Sequence, residues 1–426
     1  MNVNSAQADN GALRSFEEDW NFKKEPLMSR LKTNSRRVLW SGSVGLMDAA
    51  RFWIFMFSVF ALLDAGALSE RASAADRQLT PSEVESWFNH NLVDGVGSNL
   101  LVRPNVHVTE FIDGADTFQA MNRRISTVAG GLTSIRGEKS YIYLLNWWID
   151  DTFPLVSNFP STTLSNLLHK ASDSRVEIRG MFWNQVDPRH RNQRQVDNIN
   201  SLAYGSAILD NKVRSFGSHH QKILIIYDAA IHELVAFCGG IDFNRDRVYP
   251  EGTNGSSQPG APDHDVHCMF VGPAAWDLLQ IFRKRWDDHP ARASLPTAPI
   301  NKQGLTGINY PRNIEATLNP GHKQWAQIGH TYPPPGPSAY TDWYDFAPHG
   351  EQTARAIILH AIAHATNYIY MEDQYMVSPE ASRALQAALV KNPKLQLIIL
   401  IPHPAITSPQ PFYASSAESV GGWRFG

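Results

Sequence analysis

An internal repeat constrains the architecture of this chain more than any other feature of its sequence. The segment YIY at residues 141–143 returns at residues 368–370, at an offset of 227 residues. Each copy follows a stretch with the apolar spacing of a helix. The apolar positions are Phe118, Met121, Ile125 and Val128 before the first copy, and Ala354, Ile358, Ile362 and Ala365 before the second. The repeat predicts two similar units in one chain.

A second helix and a second strand follow each copy. After the first copy, a leucine-rich helical pattern precedes a strand pattern at residues 175–181. After the second copy, Ser378 is a good N-cap before Pro379, and residues 395–401 form the apolar run typical of a parallel strand buried on both faces. This order predicts an α/β fold of two similar βαβ lobes related by a pseudo-twofold, with the second lobe incomplete.

The same patterns divide the 426 residues into four parts. The first 46 residues are polar and show no sustained apolar periodicity, so we expect no packed fold there. The four parts are a disordered leader with a signal-peptide or membrane-anchor segment at 1–76, a first lobe at 77–294, an inter-lobe loop region at 295–350 and a partial second lobe at 351–426.

Charge and cysteine content exclude several classes of protein. With 38 Lys plus Arg against 41 Asp plus Glu, the net charge of −3 provides no general field that would attract nucleic acid. The two cysteines, Cys238 and Cys268, cannot by themselves form a disulfide framework or a four-ligand zinc site. We expect both to be small buried side chains in strands.

The leader contains a candidate export signal. Residues 52–63 are apolar except for Ser58 and stop at Asp64, which makes the run too short for an untilted bilayer span but suitable for the core of a signal peptide. An Ala-Ser-Ala pattern at 72–74 is of the kind that signal peptidase cleaves. We expect a periplasmic or secreted protein. The long segment before Met47 keeps a membrane anchor or a buried helix as alternatives.

A His-x-Lys pair, His220 and Lys222, enters an apolar strand pattern. Residues i and i+2 of a strand share a face, so these two side chains project side by side while Gln221 points the other way. An imidazole is available as a nucleophile or proton carrier at neutral pH. A neighbouring ammonium can bind a phosphate oxygen and stabilise charge in the transition state.

Several further segments follow the pair in order. They are CGGID at 238–242, HDVH at 264–267, GPAAWDLL at 272–279 and FRKRW at 282–286. With these in order, the sequence resembles the phospholipase D family. The segment YIYMEDQY at 368–375 is similar to the IYIENQYF strand of that family. The resemblance extends over about residues 107–402.

The resemblance implies a phosphodiesterase that needs no catalytic metal or other cofactor, in which two His-x-Lys pairs, one per lobe, meet at an interface. One histidine attacks phosphorus to form a phosphohistidine, the other protonates the leaving alcohol, and water or another alcohol completes the cycle. On the matching positions, His220 is the first-lobe histidine and Lys222 is its phosphate-binding partner.

Other candidate site residues come with alternatives. The family's acidic residue lies five positions after the lysine, where this chain has Tyr227; Asp228, one residue later, is either that acid or an ordinary turn aspartate. Asp242 either orients an imidazole or shapes the preceding glycine turn. Trp147 suits an interfacial substrate or packs in the core. The remaining candidates for substrate binding or orientation are Glu372 and Gln374.

The resemblance implies a phospholipase D-type enzyme that hydrolyses or transphosphatidylates membrane phospholipids, giving phosphatidic acid and a free headgroup. The alternatives are a nuclease or phosphatidyltransferase of the same superfamily and a non-catalytic half-site subunit. The repeat offset places the second-lobe histidine at about position 447. No histidine after the second YIY has a lysine two residues later. We therefore expect a downstream segment or a second chain to complete the site, and little activity from these residues alone.

Export gives a first testable prediction. Because an apolar core of this length followed by Ala-Ser-Ala matches processing, the mature protein should start near Ala75. N-terminal sequencing of the protein from its native host measures this directly. Recovery of an intact residue 1 in the soluble cytosol would contradict the prediction.

Overall fold

The structure is a computed structural model that describes residues 53–54, 80–89, 101–131, 138–184, 191–212, 218–249, 262–295, 324–334, 344–373 and 376–401. The predicted leader lies outside these ranges except for residues 53–54, and so does most of the predicted inter-lobe loop region. Within the described ranges, no helix combines the length and the apolar character that crossing a membrane requires.

Strands and helices alternate along most of the chain. The described strands are β1 Trp53–Ile54, β2 Val102–Ile112, β3 Tyr141–Asn146, β4 Glu177–Trp183, β5 Gly205–Asp210, β6 Ile223–Asp228, β7 Glu233–Gly239, β8 Val266–Val271, β9 Gln324–Gln327, β10 Thr331–Tyr332, β11 Glu351–Gln352, β12 Tyr368–Glu372 and β13 Gln396–Leu400. The α-helices are α1 Pro81–Ser86, α2 Asp113–Ala129, α3 Leu164–Asp173, α4 Arg191–Ser201, α5 Pro273–Asp288, α6 Thr353–His364 and α7 Pro379–Lys391. This content confirms the predicted α/β class.

Eight of the strands form one mixed sheet in the order β5-β4-β3-β6-β7-β8-β2-β9. β3, β4 and β5 run parallel, whereas every other neighbouring pair in the sheet is antiparallel. β3 is buried over its whole length, between β4 and β6. Its sequence YIYLLN is correspondingly apolar on both faces, as expected for a strand with covered faces.

Helices cover both faces of the large sheet. On one face, α2, α3 and α4 place Phe118, Leu167 and Ile199 in a single apolar cluster with Leu144 and Leu224 of the sheet. On the other face, α5 packs its apolar side chains against alternate residues of the same strands. This second cluster includes Leu278, Phe282, Tyr143, Ile225 and Cys238. The sheet is therefore the middle of three layers.

A smaller sheet holds the second copy of the repeat. Its order is β1-β12-β13, and both neighbouring pairs are parallel. The two YIY segments open β3 and β12, and each of these strands is followed by a helix and a parallel neighbour, as predicted. The predicted burial of residues 395–401 on both faces is wrong, since four of the five residues of β13 are exposed. Ser378 is confirmed as the N-cap of α7, since its hydroxyl accepts a hydrogen bond from the Ala381 N–H at 3.2 Å. The pseudo-twofold relation between two lobes stays a prediction.

Cys238 and Cys268 lie opposite each other on β7 and β8. Both are buried free thiols, which confirms the prediction that they are small buried residues in strands. Burial raises the pKa of the Cys268 thiol well above its ordinary value, so this cysteine stays protonated at neutral pH.

The core around α2 generates a stability prediction. Phe118 is 0% exposed, and its ring centroid lies 5.5 Å from that of Phe153 and 5.6 Å from that of Phe243. Phe118→Ala should lower the free energy of unfolding by about 3–5 kcal/mol, because it removes a buried ring and leaves a cavity. The matched control is Phe159→Ala, whose side chain is 58% exposed and whose loss should cost within about 0.5 kcal/mol. Urea unfolding measures both; equal losses would contradict the assignment.

Candidate active site

The His-x-Lys segment lies at one end of the central strands of the large sheet, where β3 and β7 end and β6 and β8 begin. This end of the strands is called the edge below. β6 begins at Ile223 and runs antiparallel to β3, so its first residues face the end of β3. Cys238 near the end of β7 pairs with Ile223, and the adjacent Gly239 pairs with His267 at the start of β8. The segments that follow β3 and β7 and those that precede β6 and β8 therefore converge at this edge.

Lys222 is a buried cation held by one ion pair and one hydrogen bond. Its Nζ lies 3.2 Å from Asp242 Oδ2 and donates a hydrogen bond to the carbonyl oxygen of His220 at 3.1 Å. Lys222 is 2% exposed and Asp242 is 0% exposed. Burial lowers the pKa of the Lys222 ammonium, and the Asp242 carboxylate opposes this shift. The His220 carbonyl accepts one ammonium proton and the Asp242 carboxylate pairs with the charge, so the ammonium can also donate to a ligand oxygen.

Asp242 lies three residues after Gly239, the last residue of β7. Its Oδ1 accepts hydrogen bonds from the Trp148 backbone N–H at 3.1 Å and from Asn146 Nδ2 at 3.4 Å. Its Oδ2 faces Lys222, and Arg247 Nη2 lies 4.0 Å from the same oxygen. The carboxylate therefore fixes both the lysine and the segment after β3, a role that neither sequence hypothesis contained.

His220 stands beside a group of aromatic rings. The centroids of His220 and Trp147 are 4.8 Å apart, and Trp147 stacks on Trp148 and Trp183 at centroid distances of 4.7 and 5.8 Å. Burial, and then the positive charge of Lys222, lower the pKa of His220 to about 4. The imidazole is consequently neutral at pH 7, which is the form that can attack phosphorus.

Asn192 on α4 ties the ends of β3 and β4 together. Its Nδ2 donates to the backbone carbonyl oxygens of Trp147 and Trp183, both at 2.8 Å. Its Oδ1 accepts from the Ile149 N–H at 3.1 Å. One buried amide thus holds the backbone that carries the aromatic rings beside His220.

A second buried polar network anchors the same segment from the α5 side of the sheet. Arg285 donates to Gln221 Oε1 at 2.6 Å and to Asp210 Oδ2 at 2.5 Å. His219 Nε2 lies 3.2 Å from Asp210 Oδ1 and 2.8 Å from the hydroxyl oxygen of Tyr344. Although burial alone would raise it, the facing His219 and Arg285 side chains hold the pKa of Asp210 well below its ordinary value. Gln221 therefore contacts the α5 side of the sheet, opposite to Lys222, as the alternation of strand residues predicts.

The HDVH segment borders the site from β8. A Cβ at Gly240 would lie 2.1 Å from Asp265 Oδ1, so only glycine at 240 allows this carboxylate to come so close. Burial raises the pKa of Asp265, and the Val266 N–H and the charge of Arg247 oppose that shift. Arg247 also forms an ion pair with Asp263, so this side of the site contains one guanidinium among several carboxylates.

The structure brings most of the predicted site residues to this edge. His220, Lys222, Asp242 and Trp147 lie together, as the distances above show. Glu372, at the end of β12 in the small sheet, contacts His264, which lies just before β8 at the same edge. Its Oε2 lies 3.4 Å from His264 Nε2, and the Nδ1 of that ring lies 2.7 Å from Asp113 Oδ1. Gln374 lies outside the described residues.

Asp228 does not lie with the other predicted residues. It ends β6, six residues and roughly 20 Å from Lys222 at the rise of an extended strand. Its Oδ1 accepts a hydrogen bond from the Ala230 N–H at 2.9 Å. Asp228 therefore shapes the turn between β6 and β7, in agreement with the alternative that the sequence left open.

Sequence reasoning missed several residues of the site, and one of them had a recognisable signal. Arg285 continues the helical spacing of Leu278 and Phe282, which places a guanidinium on the apolar face of a helix. A charge at such a position requires a buried partner. Asn192 and Arg247 lie in polar stretches without any comparable local pattern.

Comparisons with known proteins agree with the resemblance. No protein-family model matches the chain. Phospholipase D alpha 2 of Arabidopsis thaliana is 22% identical over 337 residues, which covers 63% of this chain and 41% of the relative. Phospholipase D alpha 1 of Vigna unguiculata is 26% identical over 220 residues, which covers 42% of this chain and 26% of the relative. The chain thus spans less than half the length of these curated relatives.

Among solved structures, the phospholipase D family member Nuc of Salmonella typhimurium matches with a TM-score of 0.27 at 14% sequence identity. That match covers 43% of this chain and 95% of Nuc. The sequence matches relate the chain to the phospholipase D superfamily.

The environment of His220 generates a pH prediction. Because its pKa is lowered from 6.5 to about 4, the ring should stay neutral down to about pH 5 and become protonated only as the pH falls through about 4. Histidine 1H–13C NMR titration measures this, and the His220→Asn variant identifies the signal. A midpoint at or above pH 6 would contradict the burial and charge environment described here.

Proposed function

We propose that this chain carries the nucleophilic half of a phospholipase D-type phosphodiesterase that acts on membrane phospholipids. The observation that carries the proposal is the neutral His220 imidazole beside the buried pair of Lys222 and Asp242. A neutral imidazole supplies a lone pair, and the fixed ammonium supplies positive charge where a phosphoryl oxygen gains negative charge. The relatives are named phospholipases D, and this supports a glycerophospholipid diester as the substrate.

The reaction divides into two displacements at phosphorus. A ring nitrogen of His220 attacks phosphorus with its lone pair while the bond from phosphorus to the leaving alcohol oxygen breaks. An acid protonates that oxygen, and the resemblance assigns this role to the histidine of a second His-x-Lys pair. Water, deprotonated by the same group, then attacks phosphorus, the P–N bond breaks and the neutral imidazole is restored.

Lys222 contributes by position as much as by charge. Its ammonium is fixed by Asp242 and by the His220 carbonyl, so it needs no reorganisation when phosphate binds. Arg247, held among Asp242, Asp246 and Asp263, adds a second cation at the same border. The carboxylates around Arg247 offset its positive charge, so this cluster does not attract polyanions strongly. The net charge of −3 is consistent with this.

The test is His220→Asn in the complete enzyme. Asparagine keeps much of the size but supplies neither nucleophile nor proton carrier, so headgroup release from phosphatidylcholine vesicles should fall by about two to four orders of magnitude. The matched control is His169→Asn at an exposed position of α3, which should retain wild-type turnover.

Two outcomes would overturn the proposal. Retention of a tenth of wild-type turnover by His220→Asn would remove His220 from the reaction. Nicking of supercoiled plasmid by wild-type enzyme, with no headgroup release from vesicles, would replace the lipid substrate by nucleic acid.

A further inference from the structure

His267 is a buried histidine that the reaction outlined above does not use. It stands on β8 opposite Gly239 of β7, and Gly239 in turn neighbours the position of Lys222, because Cys238 pairs with Ile223. Lys222, directly before β6, thus lies in one row across the sheet with Gly239 of β7 and His267 of β8.

The side chains of Lys222 and His267 occupy the same face of the sheet. Ile223 and Cys268, the next residues along the two strands, belong to the apolar cluster under α5. Leu224 belongs to the opposite cluster, and Met269 packs against it. Since strand residues alternate between faces, Lys222 and His267 both project toward the face of Leu224 and Met269.

Gly239 has no side chain, and the space that a Cβ would need there is taken by His267. A Cβ at Gly239 would lie 2.7 Å from His267 Nδ1, so the imidazole rests over the glycine backbone. The charge of Asp242 raises the pKa of this ring, and the charge of Lys222 lowers it. The imidazole is therefore directed from β8 toward the buried charge pair.

The hydrogen bonds of His267 fix which nitrogen carries the proton. The Ile241 N–H donates to Nδ1 at 3.4 Å, so the proton of the neutral ring is on Nε2. Burial lowers the pKa of His267 to about 3, which keeps the ring neutral at pH 7. His267 is 1% exposed, and its Nε2 has no hydrogen-bond acceptor among the described residues. A buried N–H without a hydrogen-bond acceptor lowers the stability of the folded protein, so we expect a bound group to accept this hydrogen bond.

We propose that His267 donates its Nε2 proton to a non-bridging phosphoryl oxygen that is bound beside Lys222. The inference rests on the proposed function, since it names a further substrate-binding residue of the same site. A neutral donor beside a fixed cation provides directed hydrogen bonding to an oxyanion without adding repulsion between two positive charges. His267 transfers no proton in this role.

Two substitutions separate this role from a structural one. Asn at 267 can still accept the Ile241 N–H through its short side chain but cannot reach the Nε2 position, whereas Gln can place an amide N–H close to it. With inorganic phosphate as the probe, calorimetry should give about 10–100-fold weaker binding for His267→Asn and a partial recovery for His267→Gln, the scale of one hydrogen bond to a charged group. Lys222→Met should also weaken binding strongly.

Histidine 1H–15N NMR of the wild-type chain provides a readout that needs no variant at 267. The His267 ring should be the Nε2–H form, and the Nε2 proton resonance should shift downfield on saturation with phosphate. An unchanged resonance, or wild-type affinity in His267→Asn while Lys222→Met loses binding, would overturn this inference and leave the proposed function intact. Absence of phosphate binding by wild-type protein would overturn both.

Discussion

The buried charge pair of Lys222 and Asp242 is the constraint on which the arrangement of this sheet edge depends. Removing an ammonium and a carboxylate from water costs several kcal/mol per ion, and mutual attraction offsets that cost only when further hydrogen bonds satisfy both groups. The backbone after β3 supplies the Trp148 N–H, and the segment before β6 supplies the His220 carbonyl. The first bond satisfies Asp242, the second satisfies Lys222, and the two charges depend on each other, so the segments around β3, β6 and β7 are coupled in free energy.

The segment that carries His220 lies between two polar networks, one on each side of the sheet. Lys222 enters the Asp242 network, while the preceding Gln221 enters the Arg285 network under α5. His219 belongs to this second network as well, through Asp210. A strand alternates its side chains, so consecutive residues can be fixed from opposite directions. Contacts on both sides of the sheet thus hold the segment in place, as the proposed roles of His220 and Lys222 require.

Local patterns in the sequence were sufficient for the elements and for part of the site. Apolar periodicity located β3, β12 and their flanking helices, and the His-x-Lys spacing placed His220 and Lys222 next to each other. The partners of Lys222 and Gln221 could not be derived this way. Asp242 and Arg285 reach the segment through sheet register and helix packing, and these are set by contacts far apart in the chain. Spacing within a motif carries no information about such contacts.

The shift of the acidic residue from position 227 to 228 is understandable from the pairing of β6. An inserted residue could have been absorbed by a bulge, but the register of β6 with β3 and β7 is continuous from Ile223 onward. Tyr227 therefore projects to the α5 side, stacks on Tyr141 at 5.2 Å and donates to Glu138. Asp228 closes the adjoining turn. Both positions lie at the end of β6 remote from His220, so the contribution of the acid there is to the turn between β6 and β7 and not to the surroundings of the imidazole.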